Sequence, residues 1–543
     1  MLLLLPLLPL MEMMPFSRLE VLIVLFDTSL FDNDLATRVC NADGAAFAIG
    51  DGSGGEACSA TKLVNCNGVC SAAMLWPAAK ASFMTDQVLP AVADRLSAAL
   101  SVISPAAIVF AAQGGTDCGA SDYGPATIPQ SYIDTPTTSA DVVIFVTRRP
   151  MLGGAQAVGV ECLQNQLGRP LAGHLNVAPQ YIDPNDLQGA VDVVLHEALH
   201  ILGFSFSKFS AYLNEFGELY ADESPARPVV ASTTTSFGNT IRRLNTPRVT
   251  AVARQHYDCA RAVGLELEDG GGVGIFKSHW EKRLLMNEIM TGRYESLPPP
   301  ALSVFTLAAL EDSGWYVADY STATPLRYGF RQGCEFFDGQ CSTWTGDGYY
   351  CNTSTPVGCN FDRSAKSECI VTEWAIIPSA FQYFNNPTTG GYSELADFCP
   401  IYTPTSDGAC AELANAAVAS PGAEQFGASS KCFLSTVRNM SLSYTGNLEP
   451  RCYLSTCAGD ETSGYTLSIS VGGSAPITCP ARGGMIEFPG FQGAVQCPPA
   501  AEVCRTPFVN RPPVPTGSAA ITGPSLVVIA LAGILAVLGA ALA

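Results

Sequence analysis

The sequence predicts a mixed α/β (α+β) protein followed by a region held together by disulfide bonds. In residues 17–205, segments with the β-branched or apolar pattern of strands are interspersed with segments that have helical spacing of apolar residues. In residues 331–506, short segments rich in Cys, Gly, Pro and Asn replace this pattern, and 13 of the 20 cysteines lie there. We therefore expect a twisted mixed sheet with packed helices, then residues 206–330 as a central subdomain, then a loop-rich, disulfide-rich domain.

Local patterns predict the individual elements. The nearly continuous apolar run "RLEVLIVLF" at 18–26 predicts a buried strand, and residues 85–102 have the spacing of an amphipathic helix. Residues 301–317 predict a helix that follows three prolines and ends near Gly314. Further strands are predicted at 140–149, 157–164 and 173–180, and a long helix at 184–202 with Asp183 as its cap.

The composition excludes several classes of protein. The chain of 543 residues has a formal net charge of -20 and no basic run that could follow phosphates, so we expect no nucleic-acid partner. Apolar residues make up 48% of the chain, which excludes general disorder. The 20 cysteines form no CxxC pairs and therefore indicate disulfide bonds in an oxidising compartment. The sequons at Asn352 and Asn439 suit a secreted glycoprotein.

Both ends of the chain carry apolar segments. Residues 1–16, which begin "MLLLLPLLPL", resemble the apolar part of a signal peptide. Residues 526–543 are uncharged, and small residues precede them at 517–519 across a short polar spacer. This arrangement favours a GPI-anchor signal over a single transmembrane span. With residues 507–525 as a linker, we expect the protein on the extracellular side of the cell membrane, anchored there or released.

The segment "HEALHILGFS" at 196–205 predicts a metal-binding helix. His196 and His200 are one helical turn apart on the same face, so both imidazoles can reach one ion. Glu197 lies about 100° around the helix from His196, where its carboxylate can act as general base toward a metal-activated water. Gly203 allows the chain to leave the helix in a left-handed turn. We therefore expect one Zn²⁺ per chain.

A zinc site of this type needs a third protein ligand, and the position where compact metzincins have it is Phe206. His174 lies in a predicted strand and His256 in a helix that a disulfide holds, and both positions are typical of packing residues. A glutamate, Glu218 or Glu223, is the alternative used by gluzincins.

His279 is the remaining histidine. It lies in "KSHWEKRLLMNEIMTG" at 277–292, in which Met290 precedes a turn of small residues. In metzincins a methionine turn lies beneath the zinc and supports its histidines. The separation of 11 residues between His279 and Met290 leaves room for the chain to return under the metal.

With these motifs the chain resembles the leishmanolysin family of surface-anchored zinc proteases. That family has a long insertion between its HExxHxxG helix and its third histidine. The matching positions are His196, Glu197, His200 and Gly203, then His279-Trp280 and Glu288–Met290. The resemblance covers most of residues 18–505, through segments such as "ADVVIFVTRRP", "GRPLAGHLNVAP" and "DFCPIYTPTSDGAC".

The resemblance implies a zincin/metzincin-like catalytic region and a role for each matching residue. It implies a base at Glu197, a methionine-turn residue at Met290, and zinc ligands at His196, His200 and His279. It also implies that residues 173–179 form an edge strand that holds an extended peptide by β-addition, with Gly173, Leu175 and Val177 in contact.

The resemblance further implies a set of disulfide bonds. The expected pairs are Cys118–Cys162, Cys259–Cys334, Cys341–Cys399, Cys351–Cys369, Cys359–Cys432, Cys410–Cys452, Cys457–Cys504 and Cys479–Cys497. The pairing of Cys40, Cys58, Cys66 and Cys70 stays open. Family members are typically made with a pro-segment whose cysteine blocks the zinc. Here the first cysteine is Cys40, which we expect to be structural.

These observations together predict a cell-surface zinc endopeptidase that acts on peptide or protein substrates. Two other classes stay open at this point. One is a non-catalytic surface adhesin that keeps the protease fold, and the other is a gluzincin-type hydrolase with a glutamate as third ligand. The sequence does not define the substrate or its subsite preference.

Overall fold

The computed structural model describes residues 19–512 apart from short internal segments. The segments outside the described part are 51–54, 60, 104–105, 111–115, 120–122, 221–227, 236, 273, 296, 345, 347, 353–355, 418–421 and 444–445. The predicted signal peptide at 1–16 and anchor at 526–543, and most of the linker, lie outside the described residues.

Helices and strands are numbered here along the chain. The helices are α1 (Leu30–Asn33), α2 (Ala78–Phe83), α3 (Leu89–Ala99), α4 (Gln130–Asp134), α5 (Leu187–Ile201), α6 (Phe206–Phe209), α7 (Pro247–Tyr257), α8 (Lys282–Leu285), α9 (Val304–Asp312), α10 (Gly333–Asp338) and α11 (Ala500–Cys504). The strands are β1 (Glu20–Val21), β2 (Val24–Asp27), β3 (Ala46–Ile49), β4 (Cys66–Val69), β5 (Leu100–Val102), β6 (Asp117–Cys118), β7 (Ala126–Thr127), β8 (Val142–Thr147), β9 (Ala157–Gln164), β10 (Pro170–Val177), β11 (Val230–Thr234), β12 (Thr240–Leu244), β13 (Leu265–Leu267), β14 (Tyr316–Ala318), β15 (Val357–Cys359), β16 (Ala365–Cys369), β17 (Val371–Glu373), β18 (Thr389–Gly391), β19 (Tyr402–Ala409), β20 (Ser430–Ser435), β21 (Arg438–Asn439), β22 (Glu449–Asp460), β23 (Gly464–Ser470), β24 (Ile477–Thr478), β25 (Gly484–Glu487), β26 (Phe491–Gln492) and β27 (Ala494–Cys497).

A four-stranded mixed sheet in the order β2-β8-β10-β9 positions the histidine helix. β2, β8 and β10 run parallel, and β9 runs antiparallel to β10. Every residue of β8 is buried, as expected for a β-branched strand that is covered on both faces. One face packs against α3 and α5 in the main core, and the other packs against residues such as Ile108 and Phe110. The predicted mixed α/β architecture of this region is confirmed.

Two sequence predictions near the N-terminus need correction. Within the predicted strand at 18–26, the described residues 19–26 contribute to two short strands in different sheets, and only one side is buried, since Val21 and Ile23 are exposed. The predicted helix at 85–102 begins earlier, at α2, and passes through a π-helical turn at Met84–Val88 before α3. Pro90 cannot donate the helical hydrogen bond there. Residues 100–102 leave the helix because they pair with β1 and β14.

The limits of two predicted helices also differ. Helix α5 starts at Leu187, because the side chain of Asp186 caps it by accepting the Gly189 N–H at 2.9 Å. The predicted cap, Asp183, instead accepts the Asn185 N–H in the preceding turn. Helix α9 is shorter than the predicted span of 301–317, since β14 follows it.

The predicted edge strand is wrong. β10, which contains Gly173, Leu175 and Val177, is paired with β8 on one side and β9 on the other, and all of its residues are buried. Within the described residues the edge next to α5 is β9. This assignment came from the resemblance, and matching residues do not give the order of strands in a sheet, which explains the error.

The central residues form a second layer on the main core. β11, β12 and β13 make an antiparallel sheet, and α7 packs against α9. The disulfide Cys259–Cys334 connects the end of α7 to α10. One cluster of buried apolar residues runs from Leu22 to Ile401, so it continues across the predicted limit at residue 331. The predicted domain limits remain a prediction.

The C-terminal region is built from small sheets. β15, β16 and β19 form one sheet, and a six-stranded sheet has the order β24-β23-β22-β20-β27-β25. A separate cluster of buried apolar residues, which come from the range Phe433 to Val503, covers one face of the six-stranded sheet. Helix α11 packs against this sheet.

All 20 cysteines are paired in ten disulfides. The eight bonds expected from the resemblance are confirmed. The open pairs are Cys40–Cys70 and Cys58–Cys66, which hold the β3–β4 hairpin. Among the described residues, one helical stretch, Leu187–Phe209, is long and apolar enough to cross a membrane, and 72% of its apolar window is buried inside the protein. This stretch contains α5, a helix of the core.

Candidate metal centre

Helix α5 presents two histidines toward one point. His196 and His200 lie one turn apart, and the opposite side of the helix is buried against the sheet through residues such as Val194, Leu195 and Leu199. Two residues after the end of the helix, the chain turns at Gly203, whose φ of 118° falls in the region that favours glycine. A Cβ at this position would lie 2.7 Å from the ring of Trp315, so packing also requires glycine.

His279 reaches the same point from a segment that pairs with β13. The Glu268 N–H donates to the His279 carbonyl at 2.9 Å, and the Glu281 N–H donates to the Glu266 carbonyl at 3.0 Å. This pairing fixes the segment beside the end of α5. Phe206 lies next to it, since its N–H donates to Ser278 Oγ at 3.3 Å.

A backbone carbonyl holds the Nδ1 atom of each histidine. His196 Nδ1 lies 2.6 Å from the Ile289 carbonyl, His200 Nδ1 lies 2.7 Å from that of Phe204, and His279 Nδ1 lies 2.9 Å from that of Ile275. A carbonyl only accepts, so these contacts assign the ring hydrogen to Nδ1 and leave a lone pair on Nε2. The three Nε2 atoms lie 3.1 Å from one another.

The three nitrogens fit a zinc ion. Nitrogens at the usual Zn–N distance of about 2.0–2.1 Å and tetrahedral angles are about 3.3 Å apart, close to the observed separation. Three lone pairs at this spacing repel one another unless a cation lies between them, because none of the Nε2 atoms has a proton to share. Carbonyl partners on the outer nitrogens are also typical of metal-bound histidines.

Burial keeps the histidines neutral, as ligands must be. It lowers the pKa of His196 to about 4 and that of His279 to about 3. The pKa of His200 lies well below its usual value for the same reason, and the other two histidines lower it further. Neutral imidazoles at ordinary pH are ready to bind a metal ion without first losing protons.

The Glu197 side chain reaches from the histidine helix to the edge strand β9. It is buried, and the Gly159 N–H of β9 donates to its carboxylate. Burial raises the pKa of Glu197 to about 8, although the hydrogen bond from Gly159 opposes this shift. A cation held by the histidines would favour the ionised form, which is the form a general base needs.

Gly159 was not singled out from the sequence. A Cβ at this position would lie 2.3 Å from the Glu197 carbonyl oxygen, so the close contact between α5 and β9 requires glycine here. A glycine inside a strand is a general indication of close backbone approach, but it does not say what approaches.

The turn around Met290 supports the first histidine through its backbone. Met290 is fully buried, and its carbonyl accepts the Trp280 N–H at 2.9 Å. The neighbouring Ile289 supplies the carbonyl that holds His196. Glu288 organises this turn, because its carboxylate accepts the Met290 N–H at 2.6 Å. Its role could not be predicted from the sequence.

Other candidate ligands lie elsewhere. His174 Nε2 lies 2.7 Å from Thr147 Oγ1 inside the sheet, and His256 Nε2 donates to the Tyr328 carbonyl at 2.8 Å. Glu218 is exposed in a turn, and Glu223 lies outside the described residues. Of the predicted ligands, the structure brings together His196, His200 and His279.

An HExxH helix whose histidines converge with a third one, beside a buried glutamate, defines the centre of a metalloprotease. Comparison with known proteins agrees, because the family model described as leishmanolysin matches residues 58–510. The chain belongs to the leishmanolysin family of metalloproteases.

Several curated relatives are similar over much of the chain. A leishmanolysin-like peptidase of Drosophila pseudoobscura pseudoobscura is 30% identical over 450 residues, which cover 69% of this chain and 64% of the relative. Leishmanolysin of Leishmania major is 30% identical over 398 residues, which cover 70% of this chain and 62% of the relative. The leishmanolysin homolog of Crithidia fasciculata is 30% identical over 401 residues, which cover 70% of this chain and 57% of the relative. The chain thus spans 57–64% of the length of these relatives.

Proposed function

We propose that this protein is a zinc-dependent endopeptidase with His196, His200 and His279 as ligands and Glu197 as general base. The observation that carries the proposal is the convergence of three unprotonated Nε2 atoms at 3.1 Å, next to a buried glutamate at the edge of a sheet. Family membership supports peptidase chemistry.

The residues have separate tasks in peptide hydrolysis. Zinc held by the three histidines would supply a Lewis acid that lowers the pKa of water and polarises a scissile carbonyl. Glu197 takes the proton of the attacking water at its carboxylate and passes it to the leaving amine. The Gly159 N–H donates to this carboxylate and restricts its orientation. The carbonyls of Phe204, Ile275 and Ile289 keep the three imidazole rings oriented.

We assign the substrate-binding edge to β9 instead of β10. β9 pairs on one side with β10, and its residue Gly159 contacts Glu197. Toward the end of the strand, Lys208 Nζ lies 2.7 Å from Glu161 and donates to Gln164 at 2.6 Å, so that part is covered. An extended peptide added along residues 157–160 would pass beside the general base.

Replacing the base tests the proposal. We expect Glu197→Gln to keep one zinc per chain and to lower kcat for a peptide substrate by about 10²–10⁴-fold. Zinc content is measured by mass spectrometry of the metal and activity with a casein or peptide assay. The matched control is Glu218→Gln, which removes the exposed glutamate and should change neither value. Wild-type activity in purified Glu197→Gln protein would refute the assignment.

The same assay separates the peptidase from a non-catalytic adhesin that keeps the fold. A peptidase cleaves casein in a zymogram, stops when a zinc chelator is added and recovers when zinc is restored. An adhesin shows no cleavage in any of these conditions. A gluzincin-type centre would instead lose zinc in the Glu218→Gln control.

We also propose that the protein works on the extracellular side of the cell membrane. Ten disulfides support an oxidising compartment, and the sequon residues Asn352 and Asn439 are exposed. Mass spectrometry of the ends of the mature protein tests this, because a GPI signal and a signal peptide are removed whereas a transmembrane span is kept.

A further inference from the structure

A cluster of three carboxyl groups, two of them buried, involves the segment that carries His279. Glu268 and Asp269 directly follow β13, and Glu281 comes two residues after His279 on the paired segment. One carboxylate oxygen from each of Glu268, Asp269 and Glu281 lies within 4.8 Å of the other two. Three carboxylates from two paired segments therefore meet at one point.

One oxygen of this cluster has no partner. Glu281 is 0% exposed, and its Oε1 accepts the Arg283 N–H at 2.9 Å. Its Oε2 is also buried but has no hydrogen-bond partner among the described residues. A buried carboxylate oxygen without a partner is costly, because nothing replaces the water that it loses.

The other two carboxylates accept hydrogen bonds without being neutralised. Glu268 is 1% exposed and accepts the Gly270 N–H at 2.8 Å, with the Lys282 N–H further away at 3.5 Å. Asp269 accepts from Asn239 Nδ2 at 2.8 Å. These donors are uncharged, so neither hydrogen bond places a cation against the cluster.

Of the arginines near the cluster, Arg242 lies over the Phe276 ring, 5.3 Å from its centroid, and two others are engaged with other acids. Arg283 Nε donates to Asp397 at 2.9 Å, and its guanidinium lies 3.5 Å from Glu266. Arg243 lies 3.2 Å from Asp338. Within the part of the chain that the structure describes, no ion pair joins a lysine or arginine to Glu268, Asp269 or Glu281. The three carboxyl groups therefore have no cationic side chain paired with them among the described residues.

We propose that Glu268, Asp269 and Glu281 bind a divalent cation of the Ca²⁺ type, at a site separate from the histidine centre. An all-oxygen ligand set suits a hard cation and not zinc. Ca²⁺ binds oxygens at about 2.3–2.6 Å, so its ligands can be as much as about 5 Å apart. Mg²⁺ demands near-ideal octahedral geometry and usually keeps several waters, so a largely buried set of protein carboxylates suits Ca²⁺ better.

The position of this site gives calcium a structural role. A cation bound by Glu268, Asp269 and Glu281 would connect the segment after β13 to the segment that carries His279. The pairing of these two segments is what positions His279. Calcium is therefore expected to stabilise the folded protein and to help it retain zinc, without touching the substrate.

Calcium binding by the unmodified protein is the direct test. Equilibrium dialysis of the full chain with saturating zinc, so that the histidines are already occupied, should show one calcium bound per chain. Calcium at about a hundredfold excess over its dissociation constant should raise Tm by about 2–3 °C, and the same concentration of magnesium should raise it less. The variant Glu281→Gln should lose both effects, whereas the exposed control Glu412→Gln should keep them.

The outcomes divide cleanly. One calcium per chain in the wild type, with a Tm that responds to calcium, supports the site even if Glu281→Gln does not fold. No bound calcium and no Tm response in the wild type overturn the proposal, and the carboxyl groups would then share protons. Because zinc is saturating and no cleavage is measured, failure here is distinct from failure of the proposed peptidase activity.

Discussion

At the scale of single residues, the metal centre depends on one nitrogen atom from each of three histidines. Two of them are set by helical geometry, since any HExxH helix places its histidines on one face. The third, His279, lies 79 residues after His200, and its position depends on backbone pairing with the residues around β13. The Ile275 carbonyl holds its ring at 2.9 Å. The third ligand is therefore the part of the centre that most needs an experiment.

Replacing His279 is expected to remove the metal. Two histidines bind zinc much more weakly than three, so His279→Ala should lower zinc affinity by more than the 10–100-fold typical of a changed outer-shell partner. The matched control is His256→Gln, which changes a buried histidine that contacts the Tyr328 carbonyl instead of the centre. Zinc per chain is measured after dialysis against a competing chelator. Full zinc occupancy in His279→Ala with loss in the control would reject the assigned ligand set.

The sequence predicts the side chains of the centre better than their supports. Histidine and glutamate at fixed spacing carry chemistry that few other residue types provide, so His196, Glu197 and His200 could be identified directly. The supports of the rings are carbonyls of Phe204, Ile275 and Ile289. Every residue has a carbonyl, so only the fold shows which three are used.

At the scale of elements, the turn at 288–290 connects the centre to α9. Glu288 is buried, and one of its oxygens accepts from Ser303 Oγ at 2.7 Å and from Thr306 Oγ1 at 2.6 Å. The other accepts the Met290 N–H at 2.6 Å. The glutamate therefore fixes the turn whose Ile289 carbonyl holds His196.

Changing Glu288 is expected to loosen this turn. Glu288→Gln places an amide where the carboxylate accepts hydrogen bonds from both sides, so at least one buried donor loses its acceptor. We expect the free energy of unfolding to fall by about 1–3 kcal/mol and zinc affinity to fall with it. Urea unfolding and zinc titration measure the two effects. The exposed Glu412→Gln variant is the control, and unchanged stability in Glu288→Gln would show that the carboxylate does not hold the turn.

Elements with strong local patterns were predicted well, and elements that depend on distant partners were not. The strand at 157–164 has the predicted limits, and β8 lies within the predicted 140–149. Residues 100–102 instead leave a helical pattern to pair with β1 and β14. The edge of the sheet was assigned to the wrong strand for the same reason, because strand order is set by tertiary contacts.

At the scale of the whole molecule, one apolar core from Leu22 to Ile401 and ten disulfides hold the sheets and loops together. The disulfides implied by the family resemblance could be predicted because the order of the cysteines matched. The continuity of the apolar core across residue 331 could not be predicted. The amino-acid composition changes at this point, but the same apolar core continues through it.

The burial of histidines in this core makes the fold sensitive to acid. His256 is 1% exposed, and burial lowers its pKa to about 4 from the ordinary 6.5. The unfolded chain therefore binds a proton here below about pH 6.5, whereas the folded chain does not bind one until about pH 4. Stability is lost as the pH falls through this window, at about 1.4 kcal/mol per pH unit from this residue.

Comparing wild type with His256→Gln isolates this effect from the many carboxyl groups that titrate in the same range. Glutamine can keep a donor toward the Tyr328 carbonyl but does not bind a proton. The difference in unfolding free energy between the two proteins should be constant above about pH 7. Between pH 6.5 and 4 it should shift against the wild type, by about 3 kcal/mol in total. Urea unfolding at several pH values with the disulfides intact measures it, and parallel curves across the window would show that His256 is not held neutral by burial.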